Sequence, residues 1–565
     1  MNEEADFVIV GGGSAGCVLT NRLSADRTTQ VALLEAGSEG SSLNMKVPLF
    51  FSKISADPRF GWQYIAEPEP HAGGRALPIK RGKVLGGSSA INGMAYTRGH
   101  PGDYDGWADA GATGWSYKEI LPYFRRVENS WRGSSAEHGG EGPMPVARYQ
   151  RDEVLFDTIA ATVRAQALPL NDDFDANGAD GFGCYDTTTT HGRRASAATH
   201  YLAPVRDRKN LLIMSGALAT RILFDGKKAI GVEYERGGKT LSIRAKREVI
   251  LAAGTYASPQ LLMLSGVGPA AHLTEHGISV VADLPGVGQN LQEHPVIGFM
   301  FGVNRMVQFD RDMRLDRLAL SMLRWFAFGK GLFTGVPLGA VGFFRSRLTL
   351  PRPDIEVAFV SSSFDARPWF PFVRTARGKT IWCCTWLLQP ESRGHVRLRS
   401  DDPHDHPAIL HNMLAEQSDV QALVAALRRL RDIAATRPLA DMFESEKLPG
   451  ADLQSDAELE NYIRSTAVPG AHPTSTCAMG NGPDAVCDPE LRVQGLESLR
   501  VIDASVMPKV VAGHSNAATL MIAERGADLV LGKVLEGATR VRQAARSRTN
   551  INQRLGQSPS VPAYP

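Results

Sequence analysis

Two histidines near the carboxyl end of the chain are the side chains best suited to proton chemistry. His472 lies in GAHPTSTCAMG, and His514 lies in VVAGHSNAATL. Neither belongs to a recognisable metal-ligand set, so no metal site is predicted. The segment GGSSA is not the GxSxG elbow of a serine hydrolase. One interpretation of a lone histidine such as His472 is structural: its ring forms hydrogen bonds with the backbone of its own loop. The functional interpretation is that His472 and His514 form an acid–base pair that serves a redox cofactor.

The residues around His514 predict a turn that faces a ligand. Residues 499–502 have the pattern of a buried strand, Asp503 and Ala504 follow at its end, and helical periodicity begins soon after Asn516. We expect His514 and Asn516 in the turn before that helix, where free backbone amides and the positive end of the helix dipole meet a ligand. A histidine there is expected to be neutral, because the dipole disfavours a second positive charge.

The amino-terminal segment predicts a dinucleotide-binding unit. Residues 7–10 and 31–34 are short apolar runs typical of buried parallel strands, and residues 17–23 have helical spacing. A turn that fits GxGxxG lies between them, and its residues with the helix start are Gly11, Gly13, Ser14, Ala15 and Gly16. Glu35 follows the second strand, where it can accept hydrogen bonds from a ribose diol. The acid favours NAD or FAD over NADP.

The remainder of the chain predicts further strands and helices. Residues 211–253 read as strands, with FDGKK as a hairpin turn, and ASPQLLMLSGVGP reads as a helix closed by glycine. VQALVAALRRLRDIAATRP and ADLQSDAELENYIRSTA also have helical patterns. Residues 295–400 are rich in aromatic side chains; core packing explains most of them, but a cluster here also suits a substrate-facing sheet. The predicted fold class is α/β, or α+β for the whole chain.

Composition argues against several functions. The 565 residues carry 62 basic and 60 acidic side chains, a balance that argues against nucleic acid as a partner. Six cysteines show no disulfide framework, which favours reduced thiols and a cytoplasmic location. Neither a signal peptide nor a transmembrane segment is predicted, while peripheral contact with the inner face of the membrane stays open. Residues 536–565 are predicted to form a disordered tail, and the oligomeric state is left open.

Seven sequence blocks carry a family resemblance in a fixed order. They are VIVGGGSAGCVLTNRLS, GKVLGGSSAINGMAYTRG, GTYASPQLLMLSGVGP, LPGVGQNLQEHP, SRGHVRLRS, HPTSTCAMG and RVIDASVMP with the following GHSNAATLMIAE. Together they extend from about residue 5 to 535, and the chain resembles the glucose-methanol-choline (GMC) family of FAD-dependent oxidoreductases. Within that family the similarity is strongest to choline dehydrogenase and bacterial FAD-dependent alcohol dehydrogenases.

The resemblance implies a Rossmann-like FAD-binding domain and a discontinuous substrate domain built on an antiparallel sheet. The expected FAD-binding segments are 5–150, 206–295 and 466–535, and the expected substrate-domain segments are 151–205 and 296–465. Carried over by position, the residues implied to hold FAD are Gly11, Gly13, Ser14, Ala15, Gly16, Glu35, Val84, Gly86, Gly87, Asn92, Gly93, Met94, Ala95, Ala219, Asp503, Ala504 and Asn516. The GGSSAINGMAY loop contains no histidine for covalent attachment, so FAD is expected to be non-covalent.

The resemblance also implies the reaction. His472 matches the family's active-site histidine and would take the hydroxyl proton of a primary alcohol, while hydride leaves for flavin N5 and His514 holds the oxygen. The expected product is an aldehyde, and the expected acceptor is a quinone or a similar dye-like molecule. Choline is disfavoured because choline-type members usually have asparagine at position 514; Trp62, Tyr64 and Glu67 could contribute to a cage for its ammonium group. Three further functions stay open: an oxidase producing hydrogen peroxide, an FAD-containing hydroxynitrile lyase and a non-catalytic flavin binder.

Overall fold

A computed structural model describes residues 3–150, 152–176, 178, 180–363, 366–376 and 378–533. The predicted disordered tail at 536–565 lies outside these residues. The α-helices are α1 (Ser14–Leu23), α2 (Leu43–Lys46), α3 (Phe51–Ser55), α4 (Pro101–Asp109), α5 (Tyr117–Val127), α6 (Glu153–Ala165), α7 (Gly254–Leu264), α8 (Ala270–Glu275), α9 (Gln308–Asp312), α10 (Leu315–Phe328), α11 (Gln417–Ala434), α12 (Asp456–Thr466) and α13 (Ser515–Val530).

The strands form two large sheets and several short pairs. They are β1 (Glu3–Val10), β2 (Val31–Glu35), β3 (Gly61–Ile65), β4 (Pro78–Gly82), β5 (Ala95–Tyr96), β6 (Glu128–Ser130), β7 (Met144–Val146), β8 (Gly181–Gly183), β9 (Asp186–Thr187), β10 (Thr189–Thr190), β11 (Arg193–Arg194), β12 (Leu211–Ser215), β13 (Leu218–Asp225), β14 (Lys228–Arg236), β15 (Lys239–Leu251), β16 (Val267–Gly268), β17 (Ala282–Asp283), β18 (Pro295–Val303), β19 (Ala340–Phe344), β20 (Ile355–Val360), β21 (Thr380–Leu387), β22 (His395–Arg397), β23 (Ala408–Leu410), β24 (Phe443–Leu448), β25 (Val468–Pro469) and β26 (Leu499–Val501).

The first large sheet carries the glycine turn. Its order is β12-β2-β1-β15-β14-β13, with β26 paired to β15. The strands β12, β2, β1, β15 and β26 run parallel, whereas β13 and β14 form an antiparallel hairpin. Val10 pairs with both Leu34 and Leu251, and Leu251 pairs with Val501. The carboxyl ends of β1, β2 and β26 therefore meet at one edge, where ligands bind in open parallel sheets.

Two helices cover this sheet next to the same edge. Helix α1 follows β1 directly, and α13 packs beside α1. The Arg22 guanidinium and the Glu524 carboxylate, 2.7 Å apart, join the two helices. Glu524 is buried, and Tyr201 also donates a hydrogen bond to it. These contacts hold the second half of α13 against the end of α1, and the Ser14 hydroxyl, which donates to Asn516 at 2.8 Å, holds the start of α13 against the glycine turn.

The second large sheet is antiparallel and has the order β24-β18-β21-β20-β19-β8, with β25 paired to β18. In β21 buried and half-buried residues alternate, as the two-residue period of a strand requires. Ile381, Cys383 and Leu387 belong to a core that includes residues of α11 and α12. Cys384 and Trp386 lie on the other face, which lines a large cavity.

The α/β class predicted from sequence is confirmed. The FDGKK turn joins β13 to β14, and the expected helices correspond to α7, α11 and α12. The first strand begins at Glu3, before the apolar run, because its early residues pair with β15. Residues such as Tyr201 and Leu202 pack in the core of the first sheet, although residues 151–205 were assigned to the substrate domain. The domain boundaries stay a prediction.

Candidate functional site

The first glycine turn has a backbone that only glycine fits well. Gly11 has φ +102°, and a Cβ there would lie 2.5 Å from the carbonyl oxygen of Ala252. A Cβ on Gly16 would lie 1.8 Å from the carbonyl oxygen of Gly11, so α1 can pack this closely only with glycine. Gly13 is the residue before α1, and its side of the turn faces the cavity. The turn leaves the first amides of α1 open to a ligand.

Glu35 ends the second strand beside this turn. Its carboxylate accepts hydrogen bonds from the backbone N–H groups of Gly12 at 2.8 Å and Gly37 at 2.7 Å. Burial raises the pKa of Glu35 to about 7, although these bonds oppose the shift. The carboxylate lines the cavity, which is the position a ribose diol requires.

A second glycine loop closes over the first. Gly87 has φ +52°, and a Cβ there would lie 2.7 Å from Cα of Gly13. Asn92 follows in the same loop, and its side-chain oxygen accepts hydrogen bonds from the Met94 N–H and from Arg194 at 2.8 Å. Burial lowers the pKa of Arg194 to about 9. These contacts fix the loop edge that faces the cavity.

One cavity of about 620 Å³ joins both glycine loops to the two histidines. Of the residues proposed from sequence to hold the cofactor, those that line it are Gly11, Gly13, Ser14, Ala15, Glu35, Gly87, Asn92, Gly93, Met94, Ala95, Ala219, Asp503, Ala504 and Asn516. Gly16, Val84 and Gly86 lie behind this wall. Gly86 donates its N–H to the carbonyl of Gly12 at 2.7 Å and so connects the two loops. A cavity lined by two glycine loops, with Glu35 beside the first of them, fits an extended dinucleotide.

The carboxyl-terminal segment contributes the opposite wall of this cavity. Asp503 accepts hydrogen bonds from the Gly254 N–H at 2.9 Å and from the Ser258 hydroxyl at 2.6 Å, which joins the end of β26 to the start of α7. Helix α13 begins at Ser515, so the expectation that Asn516 precedes the helix is wrong, and His514 alone is the capping residue. Asn516 lies in the first turn and accepts a hydrogen bond from Ser14.

The two sequence-predicted histidines are in direct contact. Nε2 of His472 lies 3.0 Å from Nδ1 of His514, and the ring centroids are 4.7 Å apart at 84°. Both rings line the cavity. The backbone N–H of His514 donates to the Thr97 hydroxyl at 3.0 Å, which anchors the residue before α13. Two residues that are 42 positions apart in sequence are therefore hydrogen-bonded neighbours at the cavity wall.

Sequence reasoning missed two groups that extend this pair. Nδ1 of His294 lies 3.1 Å from Nδ1 of His472, and Nε2 of His514 lies 3.1 Å from a carboxylate oxygen of Glu356. Both added residues are buried. His294 stands in the LQEHP block, which signals the family but not the contact. Glu356 lies on β20, whose other residues are apolar. A single charged residue in such a strand is the signal that could have identified it.

A second carboxylate orients the same loop through backbone groups. Glu293 accepts hydrogen bonds from the N–H of His472 at 2.7 Å and from the N–H of His294 at 2.9 Å. Burial raises the pKa of this carboxyl. The sequence around His472 contains no acid. Its acidic neighbour in the structure, Glu293, comes from the segment before β18. Glu293 therefore fixes the backbone of His472 and His294 together.

Electrostatics keep the central imidazole neutral. Burial, followed by repulsion from His514, His294 and Arg81, lowers the pKa of His472 well below its usual range. Burial and His514 also lower the pKa of His294 to about 3. A neutral imidazole has a lone pair and can accept a proton. This is the protonation state that a general base needs at neutral pH.

Aromatic rings surround the histidines on the side of the antiparallel sheet. The rings of Tyr185 and Trp386 have centroids 5.3 Å and 6.2 Å from that of His514. Trp62 and Tyr64 also line the cavity and stack on each other at 5.5 Å. Glu67 instead forms an ion pair with Arg399. Of the three residues considered as a cage for an ammonium group, Glu67 is therefore already paired with a cation, while Trp62 and Tyr64 face the cavity.

Comparison with known proteins supports a flavin site. Among the described residues, no cluster of three or more histidine, cysteine, aspartate or glutamate side chains could hold a metal ion. Family models described as GMC oxidoreductase match residues 5–296 and 390–523. The oxygen-dependent choline dehydrogenase of Brucella canis is 39% identical over 534 residues, covering 94% of this chain and 96% of that protein.

Solved structures share the architecture. Pyridoxine 4-oxidase from Mesorbium loti has a TM-score of 0.83 and 31% identity, covering 93% of this chain and 98% of that one. Formate oxidase of Aspergillus oryzae, a protein studied for the modification of its FAD, has a TM-score of 0.85 and 27% identity, with coverage of 94% and 98%. The chain is therefore a member of the GMC oxidoreductase family, with FAD as its cofactor.

Proposed function

We propose that this flavin oxidoreductase converts a primary alcohol, aliphatic or aromatic, to the aldehyde and passes the electrons to a quinone or dye-like acceptor. One observation carries the proposal: the contact of 3.0 Å between Nε2 of His472 and Nδ1 of His514, at the wall of the cavity that the glycine loops share. Oxidising an alcohol requires a base for its hydroxyl proton, and this pair supplies one.

FAD, when bound, supplies the acceptor for the hydride that leaves the alcohol carbon. The chain's own residues supply the proton chemistry. When Nδ1–H of His472 donates to Nδ1 of His294, Nε2 of His472 carries a lone pair that lies against Nδ1 of His514. A substrate hydroxyl would take the place of that contact and give its proton to Nε2 of His472. The resulting imidazolium keeps its hydrogen bond to His294.

His514 would then orient the same substrate oxygen. Its Nε2 lies against Glu356, which fixes the ring so that Nδ1 points at His472 and the cavity. Because Glu356 holds Nε2, Nδ1 of His514 can exchange its contact with His472 for the substrate oxygen while the ring keeps its orientation, and correct orientation contributes strongly to rate. Glu356 does not line the cavity, so we propose it as a positioning residue rather than a group that touches substrate.

The charge of the cavity favours a neutral substrate. Within the described part of the chain, the carboxylates that line the cavity are Glu35, Asp405 and Asp503. Glu35 belongs to the first glycine turn, and Asp503 is engaged by Gly254 and Ser258. None of the three makes a described contact with the histidine pair. The carboxylate next to the pair, Glu356, contacts His514 but does not line the cavity, so it could not touch a quaternary ammonium directly, whereas a neutral alcohol requires no countercharge.

Choline is the second candidate, and a specific observation favours it. A choline dehydrogenase is 39% identical over nearly the whole chain, and the rings of Tyr185 and Trp386 beside His514 could face an ammonium group. Similarity to pyridoxine 4-oxidase and formate oxidase favours an oxidase, in which oxygen is the electron acceptor. A hydroxynitrile lyase would retain FAD without net redox chemistry.

We further propose that the residues lining the two glycine loops hold FAD without a covalent bond. Support comes from the 82–99 loop, which contains no histidine or cysteine before His100. Acid precipitation followed by absorbance spectroscopy checks this proposal. Yellow colour in the supernatant is expected, and colour that stays in the pellet would contradict it.

The experiment that tests the function mixes the yellow protein anaerobically with 1-hexanol, benzyl alcohol or choline and follows flavin absorbance. Bleaching by the neutral alcohols, followed by slow recovery in air and fast recovery with a quinone, supports the proposal. Bleaching by choline alone would favour the second candidate. Fast recovery in air with formation of peroxide would show an oxidase, and no bleaching would favour the lyase.

A further inference from the structure

Helix α10 (Leu315–Phe328) has an apolar outer face. Its inner face is formed by Leu318, Ser321 and Trp325, and the Trp325 indole N–H donates to the carbonyl of Gly192 at 2.7 Å. A surface helix ordinarily turns charged residues outward. Here the exposed apolar side chains of the helix are Leu315, Leu320, Met322, Leu323, Phe326 and Phe328. Leu323 is 67% exposed and Phe328 is 73% exposed.

A neighbouring loop extends this apolar surface. The N–H of Leu315 donates to the carbonyl of Trp369 at 2.9 Å, so the loop begins at the first turn of α10. Phe370, Phe372 and Val373 follow, and all three are exposed. We call α10 and residues 369–374 together the apolar patch. Aromatic side chains at a loop tip, with no core above them, are costly in water.

Basic residues are interspersed with the apolar ones. Arg317, Arg324, Lys330 and Arg374 are all exposed. Arg317 lies 3.5 Å from Asp312, but none of the ion pairs among the described residues involves Arg324, Lys330 or Arg374. Asp316, the one carboxylate of α10, pairs with Arg314 at 2.6 Å. The patch therefore combines exposed apolar side chains with a surplus of positive charge.

The patch is also next to the functional cavity. Phe328 and Lys330 line a smaller cavity of about 270 Å³, and Tyr149 and Val336 line both this cavity and the large one. An apolar molecule that enters beside the end of α10 would thus meet the wall of the histidine site. The patch therefore lies beside a route by which a substrate or an electron acceptor could reach the histidine site.

We propose that the apolar patch docks the protein on the surface of an anionic lipid membrane. Insertion of the Phe and Leu side chains below the headgroups removes apolar area from water, and the arginines and lysine meet lipid phosphates. A second copy of this chain fits less well, because pairing two patches would bury Arg324 and Arg374 while Asp316, the one carboxylate of α10, already pairs with Arg314. Among the described residues, no helix is long and apolar enough to cross a membrane.

Flotation of the full-length holoprotein with vesicles tests the proposal without reference to activity. The vesicles contain phosphatidylcholine alone or an equal mixture with phosphatidylglycerol. The test variant is Leu323→Gln with Phe372→Gln, two exposed positions where polar residues keep the fold. The matched control is Leu348→Gln, since Leu348 is 93% exposed in the loop that joins β19 to β20 at the other end of the sheet.

We expect the wild type and the Leu348→Gln control to float with anionic vesicles, and the double variant to bind at least tenfold more weakly. Binding should weaken with added salt and on neutral vesicles, because the basic residues contribute. All proteins keep residues 534–565, so the tail cannot account for a difference between them. Equal binding of the double variant, no binding by the wild type, or a dimer that only the double variant disrupts would overturn the proposal.

Discussion

Replacing His472 with alanine should abolish most alcohol oxidation while FAD stays bound. The ring contacts His294 and His514 but is not part of either glycine loop. General-base catalysis is worth about 10²–10⁴ in rate, which corresponds to about 2.7–5.4 kcal/mol of barrier. We therefore expect the first-order rate of flavin bleaching by a saturating alcohol to fall by about 10²–10⁴.

The assay is anaerobic stopped-flow absorbance with the wild type, the His472→Ala variant and a His276→Ala control. His276 ends α8 and does not line the cavity, so its replacement removes an imidazole without touching the site. Near-native bleaching by the His472→Ala variant would refute its role as the base. Loss of the yellow colour in that variant would show instead that the histidine holds the cofactor.

Four further predictions follow from the same site. His514→Asn should retain FAD and lose about tenfold in bleaching rate, since an amide still holds the substrate oxygen; complete loss of FAD would contradict this. Glu356→Gln should lose about fivefold, because a neutral acceptor forms a hydrogen bond about 1 kcal/mol weaker than a carboxylate does. Thr385→Val, on the core face of the adjacent strand, is its control, and an unchanged rate in Glu356→Gln would remove the positioning role. The lowered pKa of His472 keeps the base neutral as pH falls through 6.5, so a pH profile of kcat/KM should decline only well below that value; an acid limb near 6.5 would contradict the assignment. Gly87→Val should reduce FAD occupancy, measured as the ratio of flavin to protein absorbance, because its Cβ would lie 2.7 Å from the facing glycine loop; full occupancy would exclude that close approach.

Local sequence signals sufficed for the cofactor side of the fold. A few neighbouring residues are enough to predict the turn at Gly11, the acid at Glu35 and the strand before Asp503. At Gly11 and Glu35 the backbone geometry requires a particular type of residue. The parallel register then brings these separate signals to one sheet edge. The strand–turn–helix–strand pattern predicted this meeting for the glycine turn and Glu35, whereas the place of Asp503 in the same site was implied by the family resemblance.

The contacts that His294 and Glu356 make with the histidine pair could not be predicted in the same way. His294 and Glu356 come from strands or loops whose local pattern indicates only a buried sheet, and their contacts depend on the packing of that sheet against the carboxyl-terminal segment. The start of α13 differed by two residues, because the cap at His514 uses no side-chain hydrogen bond that sequence would reveal. The apolar face of α10 was likewise hidden, since a run of leucines and phenylalanines predicts burial.

The central claim is that this site oxidises a primary alcohol by breaking the C–H bond of its hydroxyl-bearing carbon. The most direct test compares anaerobic flavin bleaching by benzyl alcohol and by its α,α-dideuterated form in the wild type. The account predicts bleaching by both, with a slower rate for the deuterated alcohol, because breaking the C–H bond accompanies proton transfer to His472. No bleaching by either alcohol, or bleaching by choline alone, would contradict it.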